Sequence, residues 1–129
     1  MPEFVYQKII RLLNNNKKTL SGARILIIGM AYKSNLPDYR ESPSLEIFKL
    51  LYKDCKTVDY HDDFVKTIKL NKKTFSSTDL TKLGLYDLIV IATNHSYVNY
   101  KKVLKESQLI LDTRNATKNL PNNDNVVLL

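Results

Sequence analysis

Two cations in one polar segment are the residues whose chemistry is easiest to infer. Lys33 and Arg40 lie within segment 33–43, which follows a short apolar run and precedes a helical pattern. A helix amino terminus attracts anions, so the segment predicts a site for an anionic ligand. The alternative is that Arg40 only pairs with its neighbours Asp38 and Glu41 at the surface.

The same segment argues against a nucleotide loop of the common types. Over the wider segment 29–43 there is one glycine, Gly29, whereas a dinucleotide site needs G-x-G-x-x-G and a phosphate-cradling loop needs G-x-x-x-x-G-K-[ST]. A dinucleotide site after the first strand is therefore not predicted.

Three other groups could carry chemistry, and each has a structural interpretation that we favour. Cys55 is the only cysteine, which excludes a disulfide within the chain and a multi-cysteine metal site. Residues 61–63, His-Asp-Asp, resemble a metal cluster, but three adjacent side chains seldom converge on one ion, so no metal site is predicted. Asn94 and His95 lie at a strand end and could line a cleft, although a lone histidine in a turn is more often a local hydrogen-bonding group.

The elements that must position these residues follow from hydrophobic periodicity. Ser42 is a suitable N-cap and Pro43 a suitable first helical residue. Strands that alternate with helices and are apolar throughout predict an α/β fold, a three-layer Rossmann-like domain with a mostly parallel sheet of about five or six strands and a leading helix. The predicted helices span residues 3–14, 44–53 and 98–104, and the predicted strands residues 24–29, 57–60, 88–92, 109–111 and 126–128.

In such sheets ligands bind at the carboxyl ends of the strands. The informative residues should therefore follow Gly29, Ala92 and Asp112. We expect the leading helix and linker over residues 1–20 and the ligand-binding domain over residues 21–129.

Composition narrows the class of protein further. The chain has 129 residues and a net charge of +7, which favours anionic partners. Its lysines are scattered and are not interleaved with aromatic residues, so no nucleic acid partner is predicted. No apolar run approaches the roughly 20 residues of a membrane span, and no signal peptide is evident, so we expect no membrane association and a cytoplasmic location.

Three motifs resemble one family in its own order. Residues 29–33, Gly-Met-Ala-Tyr-Lys, with residues 38–43, Asp-Tyr-Arg-Glu-Ser-Pro, are similar to the motif that opens the last domain of UDP-glucose, UDP-N-acetylglucosamine and UDP-N-acetylmannosamine dehydrogenases. Residues 86–96 resemble the family's YD-hydrophobic-VVIATDH segment, with Asn94 in place of Asp, and residues 109–115 resemble its IVDTRN. Met1-Pro2 also resembles the pair that starts the helix between the family's central dimerisation region and this domain.

The resemblance implies roles for individual residues. Tyr32, Lys33 and Arg114 would contact the UDP-sugar, and Arg40 would face an NAD molecule held mainly by an amino-terminal domain outside this chain. The family oxidises its substrate through a catalytic cysteine, but Cys55 is not at that position, so no catalytic residue is expected within these 129 residues. The parent enzyme would be a homodimer or a higher homo-oligomer.

The implied function is therefore the UDP-sugar-binding part of an NAD-dependent UDP-sugar 6-dehydrogenase. Segments 41–43 and 112–115 look closer to the N-acetylhexosamine branch than to the glucose branch. Two alternatives from other classes are a stand-alone module that binds a nucleotide or nucleotide sugar without catalysis, and a basic α/β domain for nucleic acid.

Overall fold

The computed structural model describes residues 2–121 and 123–129. Helix α1 is described from Pro2, and Met1, the first residue of the predicted Met-Pro pair, lies outside the described residues. The main sheet has five parallel strands, which are β1 Arg24–Ile28, β2 Thr57–His61, β5 Leu88–Ile91, β6 Ile110–Asp112 and β7 Val126–Leu128. Their order in the sheet is β2-β1-β5-β6-β7.

Each central strand is apolar throughout because both of its faces are covered. In β1, Ile25 and Ile27 belong to the core cluster that includes helices α1 (Pro2–Asn15) and α2 (Pro43–Asp54). The alternating residue Leu26 belongs to a second cluster, which includes helix α3 (Tyr100–Glu106). Period-two alternation thus directs successive side chains to opposite faces. The predicted three-layer α/β architecture is confirmed.

Helix α1 packs on α2 through one apolar stripe. Val5, Ile9, Leu12 and Leu13 are buried in the core cluster of the sheet face that α2 covers. The amphipathic period predicted over residues 3–14 therefore forms a helix that contributes to the domain core. The proposed division of the chain at residue 20 stays a prediction. No helix of the described residues has both the length and the apolar character needed to cross a bilayer.

Helix α2 begins as the sequence predicts. The Ser42 hydroxyl accepts a hydrogen bond from the Leu45 amide at 3.0 Å, and Pro43 occupies the first turn. The same hydroxyl donates to the Met30 carbonyl at 2.9 Å, so the cap also attaches the helix to the end of β1.

The region between β2 and β5 contains a hairpin that periodicity did not predict. Strands β3 (Thr67–Leu70) and β4 (Lys73–Ser76) pair antiparallel. Asn71 and Lys72 between them both have positive φ, 51° and 67°, the signature of a two-residue hairpin turn. Each strand has only four residues and only β3 is half buried, so the alternation was too short to stand out. Helix α3 also starts two residues later than predicted, because Asn99 caps it.

Candidate functional site at the carboxyl edge of the sheet

A polar cleft of about 410 Å³ opens where β1, β5 and β6 end. The loops that follow these three strands come from distant parts of the chain and meet because parallel strands end at the same edge. Their side chains form its lining, which consists of Tyr32, Lys33, Ser34, Thr93, Asn94 and Arg114. The cleft therefore brings together all three residues that the resemblance assigned to substrate.

Gly29 allows two of these loops to approach each other. It has φ of +97°, and a Cβ at this position would lie 2.5 Å from the Thr93 Cβ and 2.6 Å from the Thr93 nitrogen. Only a residue without a side chain permits both the conformation and the contact. Thr93 in turn donates its hydroxyl hydrogen to the Ala31 carbonyl at 2.7 Å, which fixes the two loops together.

Asp62 anchors the start of the loop that carries Tyr32 and Lys33. This carboxylate is fully buried, and its Oδ2 accepts the amides of Met30 and Ala31 at 2.8 and 2.9 Å. Its Oδ1 accepts the Phe64 amide at 2.9 Å. A buried carboxylate without such partners would be strongly unfavourable, so the charge of Asp62 is balanced by backbone dipoles.

His95 anchors the same loop farther along. Its Nδ1 accepts the Asn35 amide at 2.7 Å, so the Nε2 nitrogen carries the proton and donates it to Asp62 Oδ2 at 2.7 Å. Asn35 has a left-handed backbone with φ of 61°, and its side-chain oxygen accepts the Ser96 amide. His95 therefore forms hydrogen bonds, as the favoured sequence hypothesis expected, but its partners lie 60 and 33 residues away and are not local.

Asp112 organises the loop that carries Arg114. Both of its oxygens accept hydrogen bonds, Oδ1 from the Arg114 and Ala116 amides and Oδ2 from the Thr117 amide and hydroxyl, at 2.7 to 3.1 Å. The Arg114 Nε donates to the Ala92 carbonyl at 3.0 Å. This contact uses one donor of the guanidinium and leaves its two terminal nitrogens available at the cleft.

Lys33 and Arg114 give the cleft a positive charge. Across residues 2–121 and 123–129, neither side chain forms an ion pair with a carboxylate. The two buried carboxylates at this edge, Asp62 and Asp112, accept hydrogen bonds from backbone amides. An anionic group with several oxygens, such as a diphosphate, fits two cations that approach from different loops.

Arg40 lies outside this cleft. Its Nε is 3.4 Å from Asp38 Oδ1, and both side chains are largely exposed, 83% and 57%. It borders a separate shallow depression with Pro37 and Tyr39. The pairing with Asp38 considered from the sequence is present, and the terminal guanidinium nitrogens face solvent.

The 61–63 triplet does not converge on a shared ion. Asp62 is committed to the contacts above, whereas His61 Nδ1 donates to the Thr78 carbonyl at 2.6 Å. His61 Nε2 then accepts the Tyr97 hydroxyl hydrogen at 2.9 Å, and that hydroxyl accepts the Asp63 amide at 2.8 Å. Burial is the main reason that the pKa of Tyr97 is raised to about 12, so the phenol stays a donor at neutral pH.

Cys55 is at the opposite edge of the sheet. It caps the end of α2, its amide donating to the Leu51 carbonyl at 2.8 Å, just before β2 begins. Burial, followed by the nearby Asp54 carboxylate, raises the pKa of its thiol to about 12. A thiol that is neutral at pH 7 and remote from the cleft is not set up as a nucleophile.

Helix α2 does not offer the pyrophosphate site that a dinucleotide-binding fold has after its first strand. In such sites the amino terminus of the helix after the first strand offers free amides to a pyrophosphate. At α2 that end is closed, because Pro43 has no N–H and the Leu45 amide donates to Ser42. The NAD implied by the resemblance therefore has no pyrophosphate cradle at this helix.

Sequence reasoning missed part of the lining. Ser34 and Thr93 were not considered, and Asn94 was considered as possible lining of the cleft without being assigned to the ligand. The position of Thr93 and Asn94 directly after the buried run 88–92 was the available signal. Arg114 also borders two neighbouring hollows, one polar hollow with Asn115 and one apolar hollow with Pro43 and Ile47.

Comparisons with known proteins agree with this geometry. The UDP binding domain of the UDP-glucose/GDP-mannose dehydrogenase family matches residues 26–119. UDP-N-acetyl-D-mannosamine dehydrogenase of Pyrococcus horikoshii is 31% identical over 126 residues, covering 94% of this chain and 28% of the relative. UDP-glucose 6-dehydrogenase of Rickettsia bellii is 30% identical over 129 residues, covering 91% of this chain and 29% of the relative.

A solved structure of the UDP-D-ManNAc dehydrogenase from Pyrococcus horikoshii superposes on this chain with a TM-score of 0.80 at 27% identity. The match covers 98% of this chain and 30% of the solved one. The chain thus spans less than a third of the length of these relatives. The family match includes the carboxyl ends of β1, β5 and β6 and so contains the whole cleft lining. The chain belongs to the UDP-glucose/GDP-mannose dehydrogenase family, as its carboxy-terminal UDP-binding domain.

Proposed function

We propose that the chain binds the UDP part of a nucleotide sugar in the cleft, with Lys33 and Arg114 on the diphosphate. The observation that carries the proposal is that these two cations, about 80 residues apart in sequence, line the same cleft because parallel strands end at one edge of the sheet. The nearby buried carboxylates accept hydrogen bonds from amides. Arg114 supplies a planar fork for two oxygens, and Lys33 supplies a mobile point charge. Tyr32, with 48% of its surface exposed, offers a ring to the base or the sugar.

The parent enzyme is proposed to be an NAD-dependent UDP-sugar 6-dehydrogenase. NAD, when bound, would supply the oxidation at C6 of the sugar, two hydride equivalents in all, and one water molecule would supply the second carboxylate oxygen, so that the alcohol becomes a uronic acid. Support comes from the names of the relatives, of which this chain covers 28% and 29%. Within this chain the residues bind and orient the substrate, and Arg40 extends toward the cofactor. The catalytic cysteine would belong to a region outside these residues. The assembled enzyme would be a homodimer or a higher homo-oligomer.

The sugar itself is not decided by this domain. The mannosamine-specific and glucose-specific relatives are almost equally similar, at 31% and 30% identity. This is the expected result if the domain binds the UDP group that these substrates share. Recognition of the sugar's 2-substituent is then proposed to depend on residues outside the chain.

Calorimetric titration of the 129-residue chain tests the binding proposal. We expect saturable binding of UDP and of UDP-sugars, weaker binding of ADP, and loss of affinity in Arg114→Ala. Binding of any oligonucleotide with steep salt dependence and no preference for UDP would favour the nucleic acid alternative. A native reading frame no longer than this chain would favour the stand-alone binding module.

A second assay tests the division of labour with the rest of the enzyme. The isolated chain should form no reduced cofactor when it is incubated with NAD and UDP-N-acetylhexosamines or UDP-glucose. The measurement is the absorbance of reduced cofactor over a long incubation. Cys55→Ser is the matched variant. Turnover that disappears in Cys55→Ser would contradict the assignment of this chain as a binding domain without a catalytic residue.

A further inference from the structure

The loop that carries Tyr32 and Lys33 is held at two points by one buried pair. Asp62 accepts the amides of Met30 and Ala31, before the two site residues, and His95 accepts the amide of Asn35, after them. The Asp62 and His95 side chains are both completely buried and are joined at 2.7 Å. Five residues of loop, 31–35, are thus fixed to a support that lies beneath the cleft and does not line it.

The contacts are directional, which makes this support more than packing. Nδ1 of His95 must be an acceptor for the Asn35 amide, so Nε2 must be the donor to Asp62. A side chain of similar size without these nitrogens would leave the Asn35 amide without its acceptor and would remove one of the three donors to Asp62 Oδ2. Asn35 has φ of 61°, a left-handed conformation that asparagine tolerates better than most other non-glycine residues.

Within the loop the chain turns back on itself. The Tyr32 amide donates to the Asp38 carbonyl at 2.6 Å, and the Asn35 side chain accepts both the amide and the hydroxyl of Ser96. The direction in which Lys33 leaves the backbone is therefore set by where residues 31 and 35 are attached. A ligand that needs Lys33 and Arg114 at the same time benefits from a loop that is ordered before binding.

We infer that His95, together with Asp62, is a positioning residue that preorganises the Tyr32–Lys33 segment for the diphosphate of the ligand. The inference rests on the proposed function for its ligand. It gives the Asn94-His95 turn two separate tasks, since Asn94 lines the cleft and His95 supports the opposite loop from below. His95 does not itself contact the ligand.

Hydrogen exchange on the unmodified chain without ligand gives the first test. The amides of Met30, Ala31 and Asn35 should exchange at least about tenfold more slowly than those of Lys33 and Ser34, because the latter have no acceptor among the described residues. Equal exchange rates for all five amides in the folded chain would overturn the inference, because the loop would then be unattached.

Variants give the second test, read as the dissociation constant for UDP in calorimetry. His95→Leu should raise the dissociation constant for UDP about tenfold and speed hydrogen exchange at the Asn35 amide. His95→Asn retains an acceptor near the Nδ1 position, so its dissociation constant should stay within about threefold of the parent value. Leu104→Ala, in the core cluster around α3, is the control for lost stability and should bind UDP like the parent at an equal folded fraction.

The outcomes separate this inference from the proposed function. If UDP binds and Arg114→Ala weakens it, but His95→Leu binds as Leu104→Ala does, the positioning role is wrong and the site assignment stands. If the parent chain does not bind UDP, the proposed function fails, and the exchange of the Asn35 amide still decides whether His95 orders the loop. If neither His95 variant folds, the exchange measurement on the parent decides alone.

Discussion

The two edges of the five-stranded sheet use their carboxylates differently. At the amino edge, Asp87 accepts hydrogen bonds from the Lys18 ammonium at 2.8 Å and from the Arg24 amide at 2.8 Å. The charge of Lys18 is thus neutralised by a carboxylate of this edge. At the carboxyl edge, Asp62 and Asp112 accept hydrogen bonds from backbone amides, His95 and Thr117, and no lysine or arginine side chain.

The difference explains how one edge becomes a binding site. Amides can balance a buried carboxylate by hydrogen bonding without using a cationic side chain. Lys33 and Arg114 consequently keep their charge for a ligand. The carboxylates of this edge shape the two loops, while the carboxylate of the other edge only ties the leading segment to the sheet.

Gly29→Ala should have the largest effect, because it breaks the contact on which the carboxyl edge is built. A Cβ would meet Thr93 at 2.5 Å in a backbone with φ of +97°, so we expect a loss of about 3 kcal/mol or more in unfolding free energy. Gly84→Ala near the amino edge is the control, since its Cβ would meet only the Glu106 carbonyl at 3.5 Å.

Urea denaturation of both glycine variants provides the measurement. Gly84→Ala should be neutral or gain up to about 1 kcal/mol through the unfolded chain. Equal stability of Gly29→Ala and the parent would show that the two loops can separate without cost, which contradicts the close approach described above.

Arg114→Ala and Lys33→Ala should each weaken UDP-sugar binding by roughly 1.5–3 kcal/mol, about 10-fold to 150-fold, if each makes a charged hydrogen bond. Arg114→Lys should recover only part of the loss, because lysine has neither the fork nor the Nε that donates to Ala92. Dissociation constants and KM are the readouts, with Lys101→Ala as the surface control. If both alanine variants match the control, the site assignment is wrong.

Asp87→Asn tests the amino edge and should lower stability by about 1 kcal/mol without changing UDP affinity. Although burial alone would raise the pKa of Asp87, the Lys18 ammonium and the Arg24 amide lower it overall. On acidification Asp87 is therefore protonated at a higher pH in the unfolded chain than in the folded chain. The contribution of Asp87 should be complete above about pH 4–5 and lost progressively at lower pH.

Chemical denaturation at pH 7 and pH 3 measures this contribution. The gap between the parent and Asp87→Asn should shrink at pH 3, while Glu106→Gln, a surface carboxylate variant, should match the parent at both values. A large loss of UDP affinity in Asp87→Asn would mean that the two edges are not independent.

Arg40→Ala should have the smallest effect on the isolated chain, less than about 0.5 kcal/mol in stability, because its pair with Asp38 is exposed. UDP binding should be nearly unchanged, whereas in the full-length enzyme NAD should weaken more than UDP-sugar. A thermal melt and separate titrations of the two ligands are the measurements. A lowered melting temperature with equal loss of both ligands would assign Arg40 to holding the loop and not to the cofactor.

Local sequence was sufficient for the elements that carry strong signals. The apolar runs 24–29, 88–92 and 109–111 predicted buried parallel strands, and Ser42-Pro43 predicted the start of α2, because caps and covered strands depend on residues that are adjacent in sequence. The β3–β4 hairpin was missed because four-residue strands carry too little alternation.

For the cleft, the sequence by itself determined which residues stand at the ends of the strands, and motif resemblance singled out Tyr32, Lys33 and Arg114. Only the tertiary structure decided that Asp62 and Asp112 bond amides, that His95 reaches Asn35, and that Cys55 lies at the far edge. The reason is that 60 residues separate His95 from Asn35. Such partners are brought together by the order of strands in the sheet, which no local pattern encodes.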